Sequence, residues 1–329
     1  MSIPSSIKLG QKIGKGKFAE VYEGSFVDPR TNTKYDSVAI KVIQIPSNSS
    51  SLDKQREEVK IVQSILKSET SSNKESSSSI ARIYSHVEHN NTLYIIMEKC
   101  DGDGVMFQQM INRLKQEGKF DEILDLLKQN LIHLCQGLEE IHTNCIIHRD
   151  IKPANLLFIK SNNKLKFTDF GLSCVYRDCK GFAGTLNYID PICFIDIKFK
   201  KSILYNNRIH VKCRLNQLSD IYSLGITFYY LLTGDTITRN IVPKTKEEYL
   251  EMLQYVNKTL DTYKDRSQEW TIFINCIQNM IHLFPHDRPT LSQCIDYLTT
   301  GNEDYFTSKK AKKQKSNYLT TLLHKCIYS

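Results

Sequence analysis

The sequence predicts an α+β protein of two lobes, in which a small antiparallel sheet with one helix precedes a larger helical part. The first 45 residues alternate apolar and polar side chains, which is typical of strands. After the DGDG segment at residues 101–104, the apolar spacing becomes mostly helical. The chain has 329 residues, which is enough for two substantial cores. We therefore expect a ligand site in a cleft between two such lobes.

The front lobe, residues 1–99, is predicted to hold five strands and one helix. The helix is expected after the N-cap candidates of SNSSS, with Glu58 one turn before Val62 on its inward face and Glu57 rotated off that face. Residues 67–79 are too polar to pack and are predicted as a loop. The predicted strands are IKLGQKIG, EVYEGSF and SVAIKVIQ before the helix, and the two halves of ARIYSHVEHNNTLYIIMEKC around an HNN turn.

The back lobe, residues 105–300, is predicted to follow a hinge at residues 100–104, and a basic tail follows at residues 301–329. An insert is predicted at about residues 193–217, because the stretch between Ile192 and Asp220 is unusually long. The predicted helices are EILDLLKQNLIHLCQGLEEIHTN, SDIYSLGITFYYLLTG, EYLEMLQYVNKTL, WTIFINCIQNMIHLF and TLSQCIDYLTT.

The segment IIHRDIKPANLL at residues 146–157 interrupts this helical pattern with polar side chains. Pro153 excludes a regular helix, and the apolar residues at either end of the segment are expected to pack. Asp150, Lys152 and Asn155 are therefore expected on a rigid loop.

Composition and charge exclude several classes of protein. Ten cysteines without CxxC pairs indicate reduced thiols rather than disulfides or a zinc site. The net charge is +8, but five of these charges belong to lysines at 309–315, so the total does not indicate a nucleic-acid-binding protein. No apolar run reaches the roughly 18 residues of a membrane span, and there is no signal-peptide pattern. We expect an intracellular protein, in the cytoplasm, the nucleus or both.

Two constellations in the front lobe suggest phosphate chemistry. The segment GKGKFAEV at 14–21 has glycines that allow backbone amides to approach phosphate oxygens, although a tight structural turn explains them equally well in isolation. Because this loop joins strand to strand, it does not match a Rossmann dinucleotide site. Lys41 in VAIK, taken alone, is interpreted as a solvent-exposed lysine on a strand. The inward-facing Glu58 requires a cationic partner, however, and Lys41 is available for that role.

A third constellation follows the rigid loop. The hairpin LLFIKSNNKLKFTDFG folds the chain back, so that Asp169 is expected close to Asn155. An amide and a carboxylate supply the oxygen ligands that Mg²⁺ prefers. Each residue alone is read more simply as a turn or capping residue, but their joint order and spacing favour a functional site.

Together these motifs resemble those of the eukaryotic protein kinases over roughly residues 8–300. The resemblance implies a bilobal kinase-like fold with ATP in the cleft and Mg²⁺, or alternatively Mn²⁺, as the metal. It implies that Asp150 accepts the substrate hydroxyl proton, that Lys152 contacts the γ-phosphate, and that Asn155 and Asp169 are metal ligands. The resemblance further implies that Lys41 contacts the α and β phosphates and pairs with Glu58.

The resemblance also assigns the nucleotide pocket. The glycine-rich loop over the phosphates comprises Gly14, Lys15, Gly16, Lys17, Phe18 and Ala19. The gatekeeper is Met97, the hinge contributes Glu98 and Cys100, and the apolar walls are Ile13, Val21, Ala39 and Leu157.

Further matches concern substrate class and internal bracing. The presence of Lys152 two residues after Asp150, together with Gly184-Thr185, resembles the pattern of the serine/threonine kinases. This resemblance implies that Thr185 lies against Asp150 and Lys152. Asp220 is implied to brace the backbone of the HRD motif, residues 148–150.

Dual specificity and a pseudokinase scaffold remain alternatives, and a lipid or small-molecule kinase is disfavoured by the peptide-groove features at 185–188. The partners implied are proteins that carry serine or threonine, and we expect a monomer.

The sequence departs from the family pattern in three places. The APE motif of the family is Asp190-Pro191-Ile192 here, so Arg288 needs an acid other than residue 192. Gly181 stands where the usual phosphate acceptor aligns, which predicts activity without phosphorylation there and leaves Arg149 without an obvious partner. The insert carries six Lys or Arg against one Asp; it is read either as a solvated loop or as a surface for acidic peptides.

Cysteines give two further expectations. Cys174 and Cys179 are interpreted as free thiols, with a redox pair as the alternative. Cys326 lies four residues from the C-terminus behind the lysine cluster, which resembles a prenylation signal; a nuclear-localisation signal and a plain solvated tail are the alternatives. Membrane association is expected only if Cys326 is prenylated.

Overall fold

A computed structural model describes residues 4–15, 19–44, 59–65, 78–176, 179, 184–190, 211–236 and 245–307. The chain divides into two compact units. The first comprises residues 1–101 with 168–171, and the second comprises residues 102–167 with 172–329. The division falls between Asp101 and Gly102, and the predicted hinge covers residues 100–104.

The first unit contains a five-stranded antiparallel sheet in the order β1-β2-β3-β5-β4, which confirms the predicted sheet. Residues 59–65 form a helix, α1. Glu57, Glu58 and most of the loop predicted at 67–79 lie outside the described residues. The strands are β1 (Ile7–Lys15), β2 (Ala19–Val27), β3 (Lys34–Gln44), β4 (Ile83–His89) and β5 (Thr92–Glu98).

The alternation of side chains along these strands gives the sheet two apolar faces. Val38 and Ile40 on β3 pack with Ile96 on β5 in one buried cluster. Ile43 and Ile95, from the same two strands, pack with α1 in the other. The predicted HNN turn joins β4 to β5, and both of its asparagines have positive φ, a conformation that asparagine tolerates well.

The second unit is mainly helical, as predicted. Two small sheets accompany its helices, a three-stranded sheet in the order β6-β8-β9 and a two-stranded sheet of β10 and β7. The strands are β6 (Gly102–Asp103), β7 (Ile146–Ile147), β8 (Leu156–Ile159), β9 (Lys164–Phe167) and β10 (Cys174–Val175). The helices are α2 (Gly104–Gln116), α3 (Phe120–Thr143), α4 (Val211–Thr233), α5 (Lys246–Asp261), α6 (Gln268–Met280), α7 (Leu291–Thr300) and α8 (Asp304–Thr307).

Capping residues explain where several of these helices begin and end. The carboxylate of Asp103, from the DGDG segment, accepts the backbone amides of Val105 and Met106 and so starts α2. Thr290 and Gln293 form a reciprocal capping box at the start of α7, and Gly301 ends that helix in the left-handed conformation. At α7 these local signals agree with the apolar spacing, which is why that helix was predictable, whereas α2 was not among the predicted helices.

Helix α4 begins earlier than its apolar pattern suggested. It starts at Val211, so residues 211–217, predicted as the end of an insert, continue the helix that carries Asp220. Residues 193–210 of the predicted insert lie outside the described residues. None of the helices within the described part of the chain is long and apolar enough to cross a membrane.

Candidate active site

The segment at 146–157 is fixed at both ends by buried strands. Ile147 on β7 and Leu156 at the start of β8 are fully buried. Between them, residues Pro153–Asn155 form a single 3-10 turn that begins at the proline, a position where its missing N–H is not needed. The polar residues of this segment, which we call the catalytic loop, therefore lie on backbone that the core holds in place.

Within the catalytic loop, the buried carboxylate of Asp150 receives three donors. Asn155 donates its amide Nδ2 to Asp150 Oδ2 at 2.9 Å, and Lys152 donates Nζ to the same oxygen at 2.8 Å. Thr185 donates its hydroxyl to Asp150 Oδ1 at 2.7 Å, and its own oxygen accepts a hydrogen bond from Lys152 Nζ at 2.7 Å. Asp150, Lys152 and Thr185 therefore form a closed triangle of charge-assisted hydrogen bonds, which fixes the carboxylate plane.

Asp220 on α4 holds the backbone before this triangle. Its two carboxylate oxygens accept the backbone amides of His148 and Arg149, each at 2.9 Å, and one of them also lies 2.9 Å from His142 Nε2. Arg149 has a φ of 68°, a conformation that costs a non-glycine residue free energy. The bonds from Asp220 hold this conformation, and the residue that follows is Asp150.

In the first unit, Lys41 and Asp169 lie together. Lys41 is on β3, and its Nζ is 3.3 Å from Asp169 Oδ1. Asp169 has a φ of 60°, and its side chain is 47% exposed, so its carboxylate is accessible. A small cavity beside this pair is lined by Met97, the buried Phe170 and neighbouring apolar residues. The arrangement places a cation and an accessible carboxylate at the edge of an apolar cavity.

The structure describes part of the predicted nucleotide pocket. Gly14 on β1 lies opposite Val21 on β2, Lys15 lies opposite Glu20, and Ala39 on β3 lies opposite Met97 on β5. Ile13 is exposed, Ala39 is buried, and Cys100 is a half-buried free thiol. Glu98 ends β5, Ala19 begins β2, and Leu157 lies on β8 in the second unit. Gly16, Lys17, Phe18 and Glu58 lie outside the described residues.

Arg288 finds its acid at Asp190, a residue that the sequence analysis did not assign. Arg288 Nη1 is 2.5 Å from Asp190 Oδ2, and both side chains are 0% exposed. Arg288 also donates to the backbone oxygens of Leu218 and His282, at 3.0 Å each, and Ser219 donates its hydroxyl to Asp190 at 3.1 Å. Burial acts to lower the pKa of Arg288, but the Asp190 carboxylate, together with Tyr249 and Tyr222, outweighs it, so the net shift is upward.

The acid is therefore present in the same tripeptide, Asp190-Pro191-Ile192, two positions earlier than the family pattern has it. The sequence contained a signal for this pairing, because a buried arginine requires a nearby acid and Asp190 is the only acidic residue of that tripeptide. Ile192 itself lies outside the described residues.

Comparison with known proteins decides the family. The model of the family "Protein kinase domain" matches residues 7–298. The chain belongs to the protein kinase family. Three features described above are therefore known parts of the kinase fold: the glycine-containing β1–β2 hairpin, the lysine of β3 and the catalytic loop.

Several curated kinases are similar to this chain at modest identity. The Serine/threonine-protein kinase KIC1 of Saccharomyces cerevisiae is 29% identical over 79% of this chain and 20% of its own length. The Hormonally up-regulated neu tumor-associated kinase homolog A of Xenopus laevis is 25% identical over 88% of this chain and 37% of its own length. An Aurora kinase of Encephalitozoon cuniculi is 26% identical over 88% of this chain and 92% of its own length. The chain thus spans well under half of the first two of these kinases and most of the third.

One prediction about cysteine is wrong in this kinase. Cys174 and Cys179 were interpreted as free thiols, but the structure joins them in a disulfide. A redox pair of these two cysteines was the alternative interpretation of the sequence, and that alternative is the one the structure has. Cys145 is disulfide-bonded as well, against the expectation of reduced thiols, whereas Cys100, Cys135, Cys276 and Cys294 take part in no disulfide within the described part of the chain.

The triangle around Asp150 gives a test of the role of Thr185. Replacing Thr185 with valine removes the hydroxyl and keeps the shape, so two hydrogen bonds to charged groups are lost, each contributing about 1.5–3 kcal/mol. We expect Thr185→Val to lower kcat/KM for a peptide substrate by at least about tenfold, because Lys152 and Asp150 are no longer held together by it. Thr185→Ser keeps the hydroxyl and is expected to retain most of the activity. Equal losses in both variants would contradict the role of the hydroxyl.

Proposed function

We propose that this protein is an active serine/threonine protein kinase, which transfers the γ-phosphate of ATP to serine or threonine hydroxyls of protein substrates. The observation that supports this most directly is the geometry around Asp150, with Lys152 and Thr185 on either side of its carboxylate. The similarity to the Serine/threonine-protein kinase KIC1 named above supports this proposal.

Hydrogen-bond capacity supports Asp150 as the group that accepts the proton. A carboxylate offers about four acceptor sites, and three are used within the described residues. Both sites of Oδ2 are used by Lys152 and Asn155, and one site of Oδ1 by Thr185. The remaining site on Oδ1 is available to a substrate hydroxyl, beside a threonine hydroxyl already bound at 2.7 Å. Asp150 would orient this hydroxyl and take its proton as the oxygen attacks phosphorus.

Lys152 is placed to bind the transferred group. Its ammonium carries three N–H donors, of which one goes to Asp150 and one to Thr185 within the described residues. The third is available to an oxygen of the γ-phosphate. A cation fixed in advance by two hydrogen bonds stabilises developing negative charge without reorganisation at the moment of reaction.

Protein kinases use Mg²⁺ with ATP, and the residues present fit such an ion. Asn155 donates its amide nitrogen to Asp150 Oδ2 and to the Asp150 backbone oxygen, both at 2.9 Å, which leaves its amide oxygen as the atom for a cation. Asp169 presents an exposed carboxylate. Oxygen ligands of this kind suit Mg²⁺, which when bound would neutralise charge on the phosphates. In the first unit, Lys41 would bind phosphate oxygens, since its ammonium already lies beside Asp169.

A pseudokinase scaffold is the second candidate function. It is motivated by Ile192 in place of the glutamate of the family motif, by the long insert and by Gly181 at the aligned acceptor position. The buried pair of Asp190 and Arg288 weakens that argument, because the anchor that Ile192 cannot make is supplied by its neighbour. The experiment below distinguishes a scaffold from an active enzyme.

The proposed function is tested with peptide libraries in which serine, threonine or tyrosine is the single acceptor, incubated with Mg-ATP labelled on the γ-phosphate. We expect label on serine and threonine peptides alone. Comparable labelling of tyrosine peptides would show dual specificity. ATP binding without transfer to any library would reject the enzyme and leave the scaffold. Intracellular location and the monomeric state stay predictions from the sequence.

A further inference from the structure

The disulfide between Cys174 and Cys179 lies in a buried cluster beside the catalytic loop. Cys179, Cys145, Tyr176 and Ile147 are all buried in this cluster, and Cys174 packs against them. Both bonded cysteines belong to the activation segment, residues 169–188, which links the Asp169 motif to Thr185. The bond therefore closes a loop in the part of the chain that positions a substrate-binding residue.

Three contacts join this part of the activation segment to residues 145–148, which lead into and begin the HRD motif. Cys174 pairs with Ile147 across the β10–β7 ladder, and the Tyr176 amide donates to the Cys145 oxygen at 2.7 Å. Ser173 donates its hydroxyl to the His148 oxygen at 3.1 Å. The segment around Cys174 thus follows the backbone that leads directly into Asp150.

The fourth contact is between a cation and the sulfur itself. Arg149 Nη1 lies 3.2 Å from Cys174 Sγ. A guanidinium beside a thiol favours the thiolate, which is the form that reacts with oxidants and disulfides. Arg149 is also the residue that holds an activation-segment phosphate in kinases regulated by phosphorylation, whereas this chain has Gly181 at the aligned acceptor position.

We propose that Cys174 and Cys179 form a redox modification site, at which a disulfide within the activation segment holds that segment in the conformation that packs beside the catalytic loop, and so raises kinase activity. The bond is present together with the intact hydrogen bonds of Thr185 to Asp150 and Lys152, so we assign the oxidised form as the active one. This inference rests on the proposed kinase activity.

The chemistry of the site is a two-electron oxidation by a peroxide. The Cys174 thiolate attacks one peroxide oxygen and breaks the O–O bond, which gives a sulfenic acid and releases the second oxygen as water after protonation. The Cys179 thiol then displaces the sulfenic oxygen as a second water and forms the S–S bond. Two thiols and one hydrogen peroxide thus give one disulfide and two waters. A dithiol reverses the step by exchange and becomes a disulfide itself.

The first measurement is chemical and does not depend on kinase activity. The full chain is reduced with dithiothreitol, treated with hydrogen peroxide, alkylated and digested with trypsin. Because Arg177 separates the two cysteines, cleavage after it leaves two peptides joined only by the disulfide. We expect the joined peptides after peroxide and separate alkylated peptides after reduction. Alkylation of both cysteines after peroxide would overturn the proposal.

The second measurement compares kinase activity in the two redox states. We expect activity to fall on the order of tenfold on reduction, which is within the range usual for coupling between two sites. Cys174→Ser and Cys179→Ser are expected to have the activity of the reduced protein in both states. Cys326→Ser, in the basic tail, is the matched control and is expected to keep the full response to peroxide.

The outcomes separate this inference from the proposed function. Equal activity of the unmodified protein in both states would overturn the redox control alone and leave the kinase in place. Higher activity after reduction would overturn the assignment of the active form. If no phosphate is transferred in either redox state, both the proposed kinase activity and its control by oxidation are rejected, whatever the peptide mapping shows.

Discussion

Asp150→Asn is expected to lower kcat for phosphoryl transfer by about 100- to 10,000-fold, the usual contribution of a positioned proton acceptor. Asparagine has the same shape and can still accept a hydrogen bond from Thr185 or Lys152 through its oxygen. It cannot take a proton from the substrate hydroxyl, and it no longer neutralises the Lys152 ammonium at 2.8 Å. The loss should therefore lie in kcat, with the affinity for ATP nearly unchanged. Single-turnover transfer and ATP binding by titration calorimetry measure the two quantities separately.

Asp125→Asn is the matched control for this loss. Asp125 is an exposed residue on α3, outside the catalytic loop, and its replacement is expected to change neither kcat nor ATP affinity. If Asp150→Asn kept more than about a tenth of the normal kcat, Asp150 would not be the proton acceptor. If it lost ATP affinity to the same degree as kcat, its role would be structural.

Asp190→Ala is expected to lower the free energy of unfolding by about 3–5 kcal/mol, because it leaves the Arg288 guanidinium buried without its acid. Arg288 is fully buried and lies 5.0 Å from the centroid of the Tyr222 ring, and its hydrogen bonds to the His282 and Leu218 oxygens go to neutral groups. Hydrogen bonds to the Leu218 and His282 oxygens compensate only part of a buried charge. Urea unfolding of the purified chain, followed by circular dichroism, measures this loss.

A second substitution tests whether the acid has moved within the tripeptide. Asp190→Ala combined with Ile192→Glu restores the acid at the position that the family uses, so it is expected to recover part of the lost stability. Asp287→Ala removes a half-exposed carboxylate next to Arg288 in sequence and is the control, with a change within about 0.5 kcal/mol. An effect of Asp190→Ala as small as that of the control would contradict the anchor.

Much of the fold was predictable because local and long-range signals agree. The alternation in SVAIKVIQ placed Lys41 on the third strand, and Pro153 between apolar flanks indicated the rigid loop that carries Asp150 and Asn155. In these segments the periodicity of the apolar residues, the caps and the turn residues all indicate the same element.

The features that the sequence did not reveal depend on contacts between distant segments. Asp190 and Arg288 are 98 residues apart, and their pairing follows only from the packing that buries both. The family has the glutamate that pairs with Arg288 at position 192, so Ile192 showed only that another acid is needed, and an acid two positions earlier does not match that pattern. The Cys174–Cys179 disulfide is a different case, because it joins residues only five apart, and no spacing rule distinguishes such a bond from two free thiols.

The start of α4 illustrates a third reason. Residues 211–217, VKCRLNQ, carry mixed polar and apolar side chains without a cap, so the apolar pattern became clear only after them. The helix nevertheless extends back to Val211, since a helix that is firmly packed further along can continue through residues of adequate helix propensity.

The most direct test of the central claim is transfer of labelled γ-phosphate from Mg-ATP to a generic protein substrate, by the unmodified chain and by Asp169→Asn. This substitution removes the negative charge of the predicted metal ligand and keeps its size. If the account is correct, the unmodified chain yields phosphoserine or phosphothreonine and Asp169→Asn yields neither. If the unmodified chain binds ATP and transfers nothing, or if Asp169→Asn transfers equally well, the assignment of this site to phosphoryl transfer is contradicted.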